Sequence, residues 1–322
     1  MIFEAAKFAD QHGFSAIWTP ERHFHSFGGF SPNPSVLSAA LARETERIQL
    51  RAGRVVLPLH HPIRVAEEWA LVDNLSQGRV GISFASGWHP NDFVFAPHAF
   101  GQHRELMFQM IKQVQKVWRG EAIEVQDGGG NPIQVTIYPQ PVQKELPIWI
   151  TVVKNPDTYR RAGELGAGIL TNLMGQTVEE LSENVALYRQ TLAKHGKTGH
   201  VTVLLHTFVG HDLDAVRETA RQPFNSYLKS SIALFKNLTQ SLGNKVDLES
   251  LTEEDQAYLL GMAYQRYVQT RALIGTPASC APILDKLQAI GVDEVACFID
   301  FGVAPKAVLQ GLAYLEALKN AY

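Results

Sequence analysis

Four segments of the sequence place titratable and aromatic side chains directly after short apolar runs. Residues 19–25 contain a glutamate, an arginine and two histidines, and the other segments are residues 53–62, 85–93 and 151–158. In a parallel α/β barrel, the reactive groups lie at the carboxyl ends of the strands. If the apolar runs are strands of one such barrel, the four segments lie on its catalytic face.

Histidines in these segments raise the hypothesis of a metal site of the amidohydrolase type. Five are present, namely His23, His25, His60, His61 and His89. Such sites use a His-x-His pair at a strand end and an aspartate near the last strand, where Asp300 keeps the hypothesis open. However, His23 and His25 lie beyond their strand, in a loop, and a single histidine is more often a satisfied hydrogen-bonding residue. We therefore predict no metal ion.

Alternating strand and helix patterns position the four segments. Seven apolar runs resemble the strands of a buried parallel sheet, at residues 15–18, 48–56, 80–85, 148–153, 168–170, 201–209 and 295–301. Helical patterns separate them, and the sequence opens in one. We therefore predict an α/β fold, a TIM-type (β/α)8 barrel that lacks its first strand in this sequence. A doubly wound sheet is the competing topology, but no Gly-x-Gly-x-x-Gly follows a strand.

Two insertions interrupt this alternation within a single predicted domain, residues 1–322. Residues 122–138 alternate Val, Ile and Thr around a glycine-rich turn, which predicts a β-hairpin. Residues 211–271 are polar and mostly helical, and they include a charged run at 248–255. We interpret this second stretch as a helical insertion or lid, with an exposed loop as the simpler interpretation of the charged run.

Composition excludes several classes of protein. The 29 Lys and Arg residues against 32 Asp and Glu residues give a net charge of −3, without the basic stripe that a nucleic-acid-binding protein needs. The two cysteines lack metal-ligand spacing, no apolar run is long enough to span a membrane, and the first residues do not resemble a signal peptide. We expect a cytoplasmic, soluble protein, and the 19% of charged residues fits a homo-oligomer.

Several motifs appear in an order that is typical of one family. They are WTPERHF at residues 18–24, VVLPLHHPIR at 55–64, DNLSQGR at 73–79 and SGWHPNDF at 86–93, with shorter motifs at 274–277 and 291–294. Together they resemble the bacterial luciferase-like flavin monooxygenases, and more narrowly their subgroup in polyketide and nonribosomal-peptide biosynthesis. The resemblance covers nearly the whole chain. It implies a TIM-type barrel that uses reduced FMN and O₂, with the flavin delivered by a separate reductase.

The same resemblance implies where FMN binds. The phosphate is expected after the strand at 148–153, at Val153, Lys154, Asn155 and Thr158, where the residues also predict a helix start beside a cation. An ordinary capped helix is the alternative. The ring is expected near Gly53 and Arg54, and Ser86, Gly87 and Thr151 are further cofactor-binding candidates. The family often has a cis non-proline peptide bond where Gly53 and Arg54 lie, although a bulge or a bend is equally compatible with the glycine.

Two positions depart from the family pattern. The catalytic histidine of luciferase corresponds to Arg22, which cannot act as a base but can stabilise an anionic flavin, so the adjacent His23 becomes the candidate acid or base. An arginine that pairs with the phosphate in luciferase corresponds to Ser86. Another cation must then neutralise the phosphate, and the candidates are Lys154, Arg160 and Arg161.

The resemblance also leads to a functional hypothesis. We expect a monooxygenase that passes one oxygen atom to a small-molecule or carrier-protein-bound substrate of secondary metabolism. The substrate pocket is expected to be lined by Phe24, Phe27, Trp88, His89 and Phe93, for which plain core packing is the alternative. Two other functions stay open: a non-catalytic or truncated flavin-binding relative, suggested by the absent first strand, and a deazaflavin-dependent oxidoreductase of the same superfamily.

Overall fold

The computed structural model describes residues 1–24, 30–229 and 252–322. The chain divides into two compact units, residues 6–151 (the N-terminal unit) and residues 1–5 with 152–322 (the C-terminal unit). The strands are β1 Ala16–Thr19, β2 Gln49–Val56, β3 Val80–Ala85, β4 Ile123–Gln126, β5 Pro132–Val135, β6 Ile148–Thr151, β7 Gly168–Asn172, β8 Val201–Val209, β9 Leu273–Gly275 and β10 Glu294–Phe298. The helices are α1 Ile2–Gln11, α2 Pro34–Glu44, α3 Pro62–Ser76, α4 His103–Trp118, α5 Pro156–Leu165, α6 Val178–Lys194, α7 Leu213–Lys229, α8 Glu253–Thr270, α9 Pro277–Ala289 and α10 Pro305–Lys319.

The N-terminal unit contains a parallel sheet in the order β1, β2, β3, β6. Every residue of β3 is buried, as expected for a strand that is covered on both faces. Because the strands run in the same direction, their carboxyl ends lie at one edge of the sheet. The predicted chemical segments that follow β1, β2 and β3 therefore start from the same edge.

Helices α3 and α4 bury the faces that their periodicity predicts. In α3 the residues Ala66, Trp69, Ala70 and Asp73 are buried, and in α4 the apolar stripe from Met107 to Trp118 is buried. Asp73 is fully buried, and its carboxylate accepts hydrogen bonds from the backbone N–H groups of Val142 and Gln143 and from the Gln143 side chain, which compensate for the loss of water. This carboxylate fixes the chain segment that leads into β6.

The predicted hairpin insertion is confirmed, since β4 and β5 pair antiparallel around the turn at residues 127–131. In that turn, Oδ1 of Asp127 accepts hydrogen bonds from the backbone N–H groups of Gly129 and Asn131. The predicted helical insertion contains α7 and α8, while residues 230–251, including the first half of the charged run, lie outside the described residues.

In the C-terminal unit, β8 is the central strand. It pairs in parallel with β7, with β10 over residues 202–206, and with the short β9 over residues 207–209. All seven predicted strands are formed, and β9 is an additional strand that the sequence pattern did not predict because it has only three residues. β10 ends at Phe298 rather than at 301, before a turn in which Gly302 has a φ of 105°. In the described parts of the chain, no helix has both the length and the apolar character of a membrane span.

The chain at Gly53 and Arg54 forms a bulge, not a cis peptide bond. Between Ala52 and Val55, β2 contains one more residue than the paired stretch of β3. The cis bond found among the described residues is Tyr138–Pro139, so the cis bond expected from family resemblance is wrong here. Gly53 itself lies against β1, and a Cβ there would be 3.4 Å from the carbonyl oxygen of Thr19.

Candidate functional site

A buried carboxylate joins the segments that follow β1 and β2. Glu21 lies two residues after β1, and its side chain has no exposed surface. Its Oε1 lies 2.8 Å from Nε2 of His23 and 2.6 Å from Nε2 of His60. Its Oε2 accepts a hydrogen bond of 2.7 Å from the backbone N–H of Val56, the last residue of β2. This Glu21–His23–His60 network brings two of the four predicted segments together.

The network is charged at neutral pH. Burial disfavours the ionised form of Glu21, but hydrogen bonds from His23 and His60 outweigh that cost and hold the pKa of the carboxyl at about 2. For His60, burial opposes protonation, but the hydrogen bond and charge of Glu21, together with the charge of Glu68, raise the pKa of the imidazole. Glu21 is therefore an anion that only accepts hydrogen bonds, so each imidazole directs a protonated Nε2 at it.

Carboxylate and imidazole groups are also metal ligands, and the three donor atoms lie within 4.8 Å of one another. However, the two N···O separations are hydrogen-bond distances, and each contains a proton that a metal would have to displace. We therefore describe the arrangement as a hydrogen-bonded network. Among the other candidates, His25 lies outside the described residues, His61 is exposed, and Nδ1 of His89 is 4.0 Å from Asp92.

The loop after β1 is fastened by backbone contacts. Arg22 donates its backbone N–H to the carbonyl oxygen of Ser31 at 3.0 Å, and the Ser31 hydroxyl donates to the carbonyl oxygen of Pro20. Arg54, from the bulge of β2, directs Nε at the carbonyl oxygen of Glu21 at 3.4 Å. Both predicted arginines thus flank Glu21, and the side chains of both are partly buried.

The segment after β3 is shaped by a glycine. Gly87 has a φ of 86°, and a Cβ on it would approach the ring of Phe93 to 2.8 Å. Phe93 is buried with Val56 and four other apolar side chains. Phe93 therefore packs in an apolar cluster, as the plain-packing alternative expects. Ser86 is partly buried, and its hydroxyl lies 3.5 Å from the carbonyl oxygen of Gly87.

Exposed aromatic side chains cover one side of His23. The His23 ring meets Phe95 edge to face at a centroid distance of 5.0 Å, and Phe95 contacts Phe24 at 5.4 Å. Phe24 and Phe95 are 61% and 55% exposed, and Trp88 is 46% exposed beside His89. This aromatic surface offers apolar area next to a titratable group. Phe27, another predicted wall residue, lies outside the described residues.

In the C-terminal unit, the predicted phosphate segment forms the start of α5. Asn155 is the N-cap and accepts a hydrogen bond from the backbone N–H of Thr158, with Pro156 in the first turn. Thr158 is buried, and its hydroxyl lies 3.4 Å from the same asparagine oxygen. Nζ of Lys154 is 3.9 Å from Glu180, with both side chains about half exposed. Val153 accepts a hydrogen bond on its carbonyl oxygen from the Tyr159 hydroxyl.

Carboxylate side chains pair with some of the cations that were predicted to neutralise the phosphate. Arg160 pairs with Asp157 at 2.5 Å and also with Glu164. Asp157 therefore does not cap its own helix, and Arg160 has two carboxylate partners. Lys154, with its long 3.9 Å contact, is the better candidate to meet a phosphate. Thr151, at the end of β6 in the N-terminal unit, shares a hydrogen bond of 2.7 Å with Ser83 of β3.

Comparison with known proteins identifies the family. A model of the luciferase-like monooxygenases matches residues 2–294. The chain belongs to the luciferase-like monooxygenase family. The oxygenase component of the flavin-dependent trigonelline monooxygenase of Acinetobacter baylyi is 27% identical over 313 residues, which cover 94% of this chain and 84% of that protein.

Solved structures show the same fold. The monooxygenase RslO1 from Streptomyces bottropensis superposes with a TM-score of 0.79 at 22% identity and covers 99% of this chain and 92% of its own. The oxygenating constituent of 3,6-diketocamphane monooxygenase from Pseudomonas putida, in complex with FMN, gives 0.76 at 17% identity, with 98% and 90% covered. A coenzyme F420 dependent tetrahydromethanopterin reductase from Methanopyrus kandleri gives 0.72 at 17%, with 98% and 95% covered. The TIM-type α/β class predicted from the sequence is thus confirmed.

Membership in the luciferase-like family makes the chain an oxidoreductase of the flavin-dependent monooxygenase type.

The sequence analysis did not predict the contacts that three residues make in the described site. Glu21 and His60 lie in the segments that were singled out, but a separation of 39 residues hides their contact. Phe95 lies two residues beyond the SGWHPNDF motif, and only the fold brings its ring to His23. A carboxylate among histidines in the first segment was the available signal.

Proposed function

We propose that this chain is the oxygenase component of a two-component system that uses reduced FMN and O₂ to transfer one oxygen atom to an apolar organic substrate. A separate reductase would supply the reduced flavin. The observation that carries this proposal is the position of the Glu21–His23–His60 network. It lies at the carboxyl edge of a parallel sheet, beside exposed aromatic rings, in a member of the luciferase-like family.

The residues of the N-terminal unit fit the ring end of such a cofactor. When bound, reduced FMN supplies the activation of O₂, and its ring carries negative charge. Arg54 brings positive charge to the backbone of Glu21, and Arg22 follows Glu21 in the sequence, so we assign both arginines to stabilising that anion. Gly53 lies at the bulge of β2, Ser86 and Gly87 follow β3, and Thr151 ends β6, and these residues would contact the ring through backbone and hydroxyl groups.

His23 is the group that we assign to proton transfer to or from the substrate. Its side chain is 9% exposed, it is held by Glu21, and it borders the aromatic surface of Phe24 and Phe95. A substrate with an apolar or aromatic body would gain buried area against these rings, and its binding there would exclude water from the reacting group. Trp88 and His89 would extend this wall.

The start of α5 fits the phosphate end of the cofactor. The first turn of a helix presents N–H groups and a positive dipole end to an anion. Asn155 and Thr158 hold that turn in place, and Lys154 adds a cation that is only loosely engaged by Glu180. We therefore assign Val153, Lys154, Asn155 and Thr158 to phosphate binding. The carrier-protein-bound form of the substrate, its place in secondary metabolism and a homo-oligomeric enzyme are further parts of the proposal.

Anaerobic titration with reduced FMN tests the function directly. We expect saturable binding that is tighter for reduced than for oxidised FMN, followed by flavin oxidation when oxygen is added. Arg54→Ala should weaken binding of the reduced form by about 10- to 150-fold, the loss of one charge-assisted hydrogen bond, and weaken the oxidised form less. Arg43→Ala, which removes an exposed arginine from the last turn of α2, is the control.

A second titration separates the competing functions. Saturable binding of a reduced deazaflavin without binding of reduced FMN would overturn the proposal in favour of a deazaflavin-dependent oxidoreductase, a class that one structural neighbour represents. Binding of FMN in both redox forms with equal affinity, without oxidation by O₂, would instead identify a non-catalytic flavin-binding protein.

A further inference from the structure

One carboxylate oxygen serves two imidazoles in the Glu21–His23–His60 network. Both Nε2 atoms lie within 2.8 Å of Oε1, while Oε2 is occupied by the backbone N–H of Val56. An ionised carboxylate has no proton to give, so both imidazoles must donate from Nε2. Nδ1 is consequently the only ring nitrogen that His23 has left for a reacting group.

The network holds one negative charge and therefore compensates one imidazolium. A second positive charge would lie close to the first with no further anion inside the network. The two histidines compete for that single proton, and their surroundings differ. The side chain of His60 is 34% exposed, while that of His23 is 9% exposed and has Phe95 against its ring.

The charged groups around His60 favour the same assignment. From the loop after β1 it faces Glu21 and His23, and from α3 the charge of Glu68 acts on it and favours the protonated ring. Glu68 is itself held by Arg64 at 2.9 Å and by the Ser35 hydroxyl at 3.0 Å. From β2, Nε of Arg54 lies 3.4 Å from the backbone carbonyl oxygen of Glu21. His60 thus has two acidic neighbours.

We propose that His60 is a positioning residue that carries the positive charge of the network and thereby keeps His23 neutral, with its proton on Nε2 and its basic lone pair on Nδ1. This inference rests on the proposed function only in giving His23 a chemical task; the two Nε2 protons follow from the contacts of Glu21, and the additional proton is assigned to His60 because of its greater exposure and the charge of Glu68. It makes His23 a base that acts through Nδ1, and it assigns His60 a role that the sequence did not reveal.

Nitrogen NMR of the imidazoles in the purified, cofactor-free protein tests the proton positions. Near neutral pH we expect His60 to be protonated on both nitrogens and His23 on Nε2 alone. A proton on Nδ1 of His23, or a neutral His60 throughout pH 5–8, would overturn the inference. This measurement uses the unchanged chain, so it does not depend on any variant folding.

His60→Gln then tests the charge. Glutamine can still donate an N–H to Glu21 but carries no charge, so the carboxylate is left with His23 alone and favours its protonated form. We expect the ascending limb of the activity–pH profile to move by about one pH unit toward higher pH, which is about a tenfold loss on that limb. His61→Gln is the control, because His61 is exposed and its side chain makes no capping hydrogen bond at the start of α3.

The outcomes separate this inference from the proposed function. If the NMR titration of His23 is the same in His60→Gln and in the unchanged protein, the inference fails. If the NMR titration moves but the activity profile does not, the charge assignment stands and the role of His23 as a base fails. A uniform loss of activity at all pH values, with unchanged NMR titration, would mean a structural role for His60 and overturn the inference.

Discussion

Replacing Glu21 by glutamine perturbs the site with little change in shape. The carboxylate accepts three hydrogen bonds, from the backbone N–H of Val56 at 2.7 Å, from His23 at 2.8 Å and from His60 at 2.6 Å, across both of its oxygens. An amide has a single acceptor oxygen, and its NH₂ group would face at least one of these N–H donors. Glu21→Gln therefore leaves a buried donor opposed by another donor, whichever way the amide is turned.

The size of the expected stability loss follows from the electrostatics of the Glu21 carboxylate. Glu21 is buried, and its hydrogen bonds lower its pKa from 4.5 to about 2, which corresponds to about 3 kcal/mol of stability at neutral pH. Counting polar groups gives a similar value, since one buried unsatisfied donor costs about 1–3 kcal/mol. We therefore expect Glu21→Gln to reduce the free energy of unfolding by about 3 kcal/mol at pH 7.

The loss should depend on pH in a defined direction. Because the pKa of Glu21 is lower in the folded protein, the ionised group stabilises the fold fully above pH 4.5, and this stabilisation is lost as the pH falls toward 2. The difference between the two proteins in urea-induced unfolding should shrink to about half by pH 3. Glu67→Gln is the matched control, since the Glu67 side chain is 41% exposed and lies 3.9 Å from Arg64, and it should change stability by less than about 0.5 kcal/mol.

Two results would refute this reasoning. One is a Glu21→Gln variant that is as stable as the unchanged protein at pH 7. The other is a deficit of the same size at pH 7 and pH 3, which would show that the amide fails for steric reasons and that the ionised carboxylate is not what stabilises the network.

Other substitutions test the remaining parts of the structure. Asp73→Asn should lower the free energy of unfolding by about 1–3 kcal/mol, measured in urea, because an amide cannot accept all the hydrogen bonds that residues 142–143 donate. Gly87→Ala should be destabilising by about 1–3 kcal/mol in a thermal melt, because its φ of 86° disfavours a side chain and the new Cβ would lie 2.8 Å from Phe93. Thr158→Val should weaken FMN binding by about 1 kcal/mol in a fluorescence titration and leave riboflavin binding unchanged, and equal weakening of both would exclude Thr158 from phosphate binding.

Local patterns in the sequence were sufficient to predict the helices and strands but not the contacts within the site. The buried stripe from Met107 to Trp118 and the start of α5 at Pro156 follow from side-chain periodicity and capping, which act over a few residues. The contact of Glu21 with His60 depends on how β1 and β2 pair, so no local pattern encodes it. Asp157 likewise had two local solutions, capping its helix or pairing with Arg160, and the side-chain geometry selects the second.

The bulge in β2 explains how an arginine reaches this network. Side chains alternate between the two faces of a strand, and before the bulge Leu50 and Ala52 are buried while Arg51 is not. In an uninterrupted strand, Arg54 would follow Leu50 and Ala52 onto the buried face, where an unpaired guanidinium is costly. The extra residue between Ala52 and Val55 reverses the alternation, so that Val55 takes the buried face of Leu50 and Ala52 while Arg54 lies on the other face and reaches the backbone of Glu21. The extra residue that interrupts the pairing of β2 with β3 thus lies between the two stretches of β2 that contact Glu21. Arg54 and the Val56 N–H both reach Glu21 from this bulge, so the bulge positions part of the site.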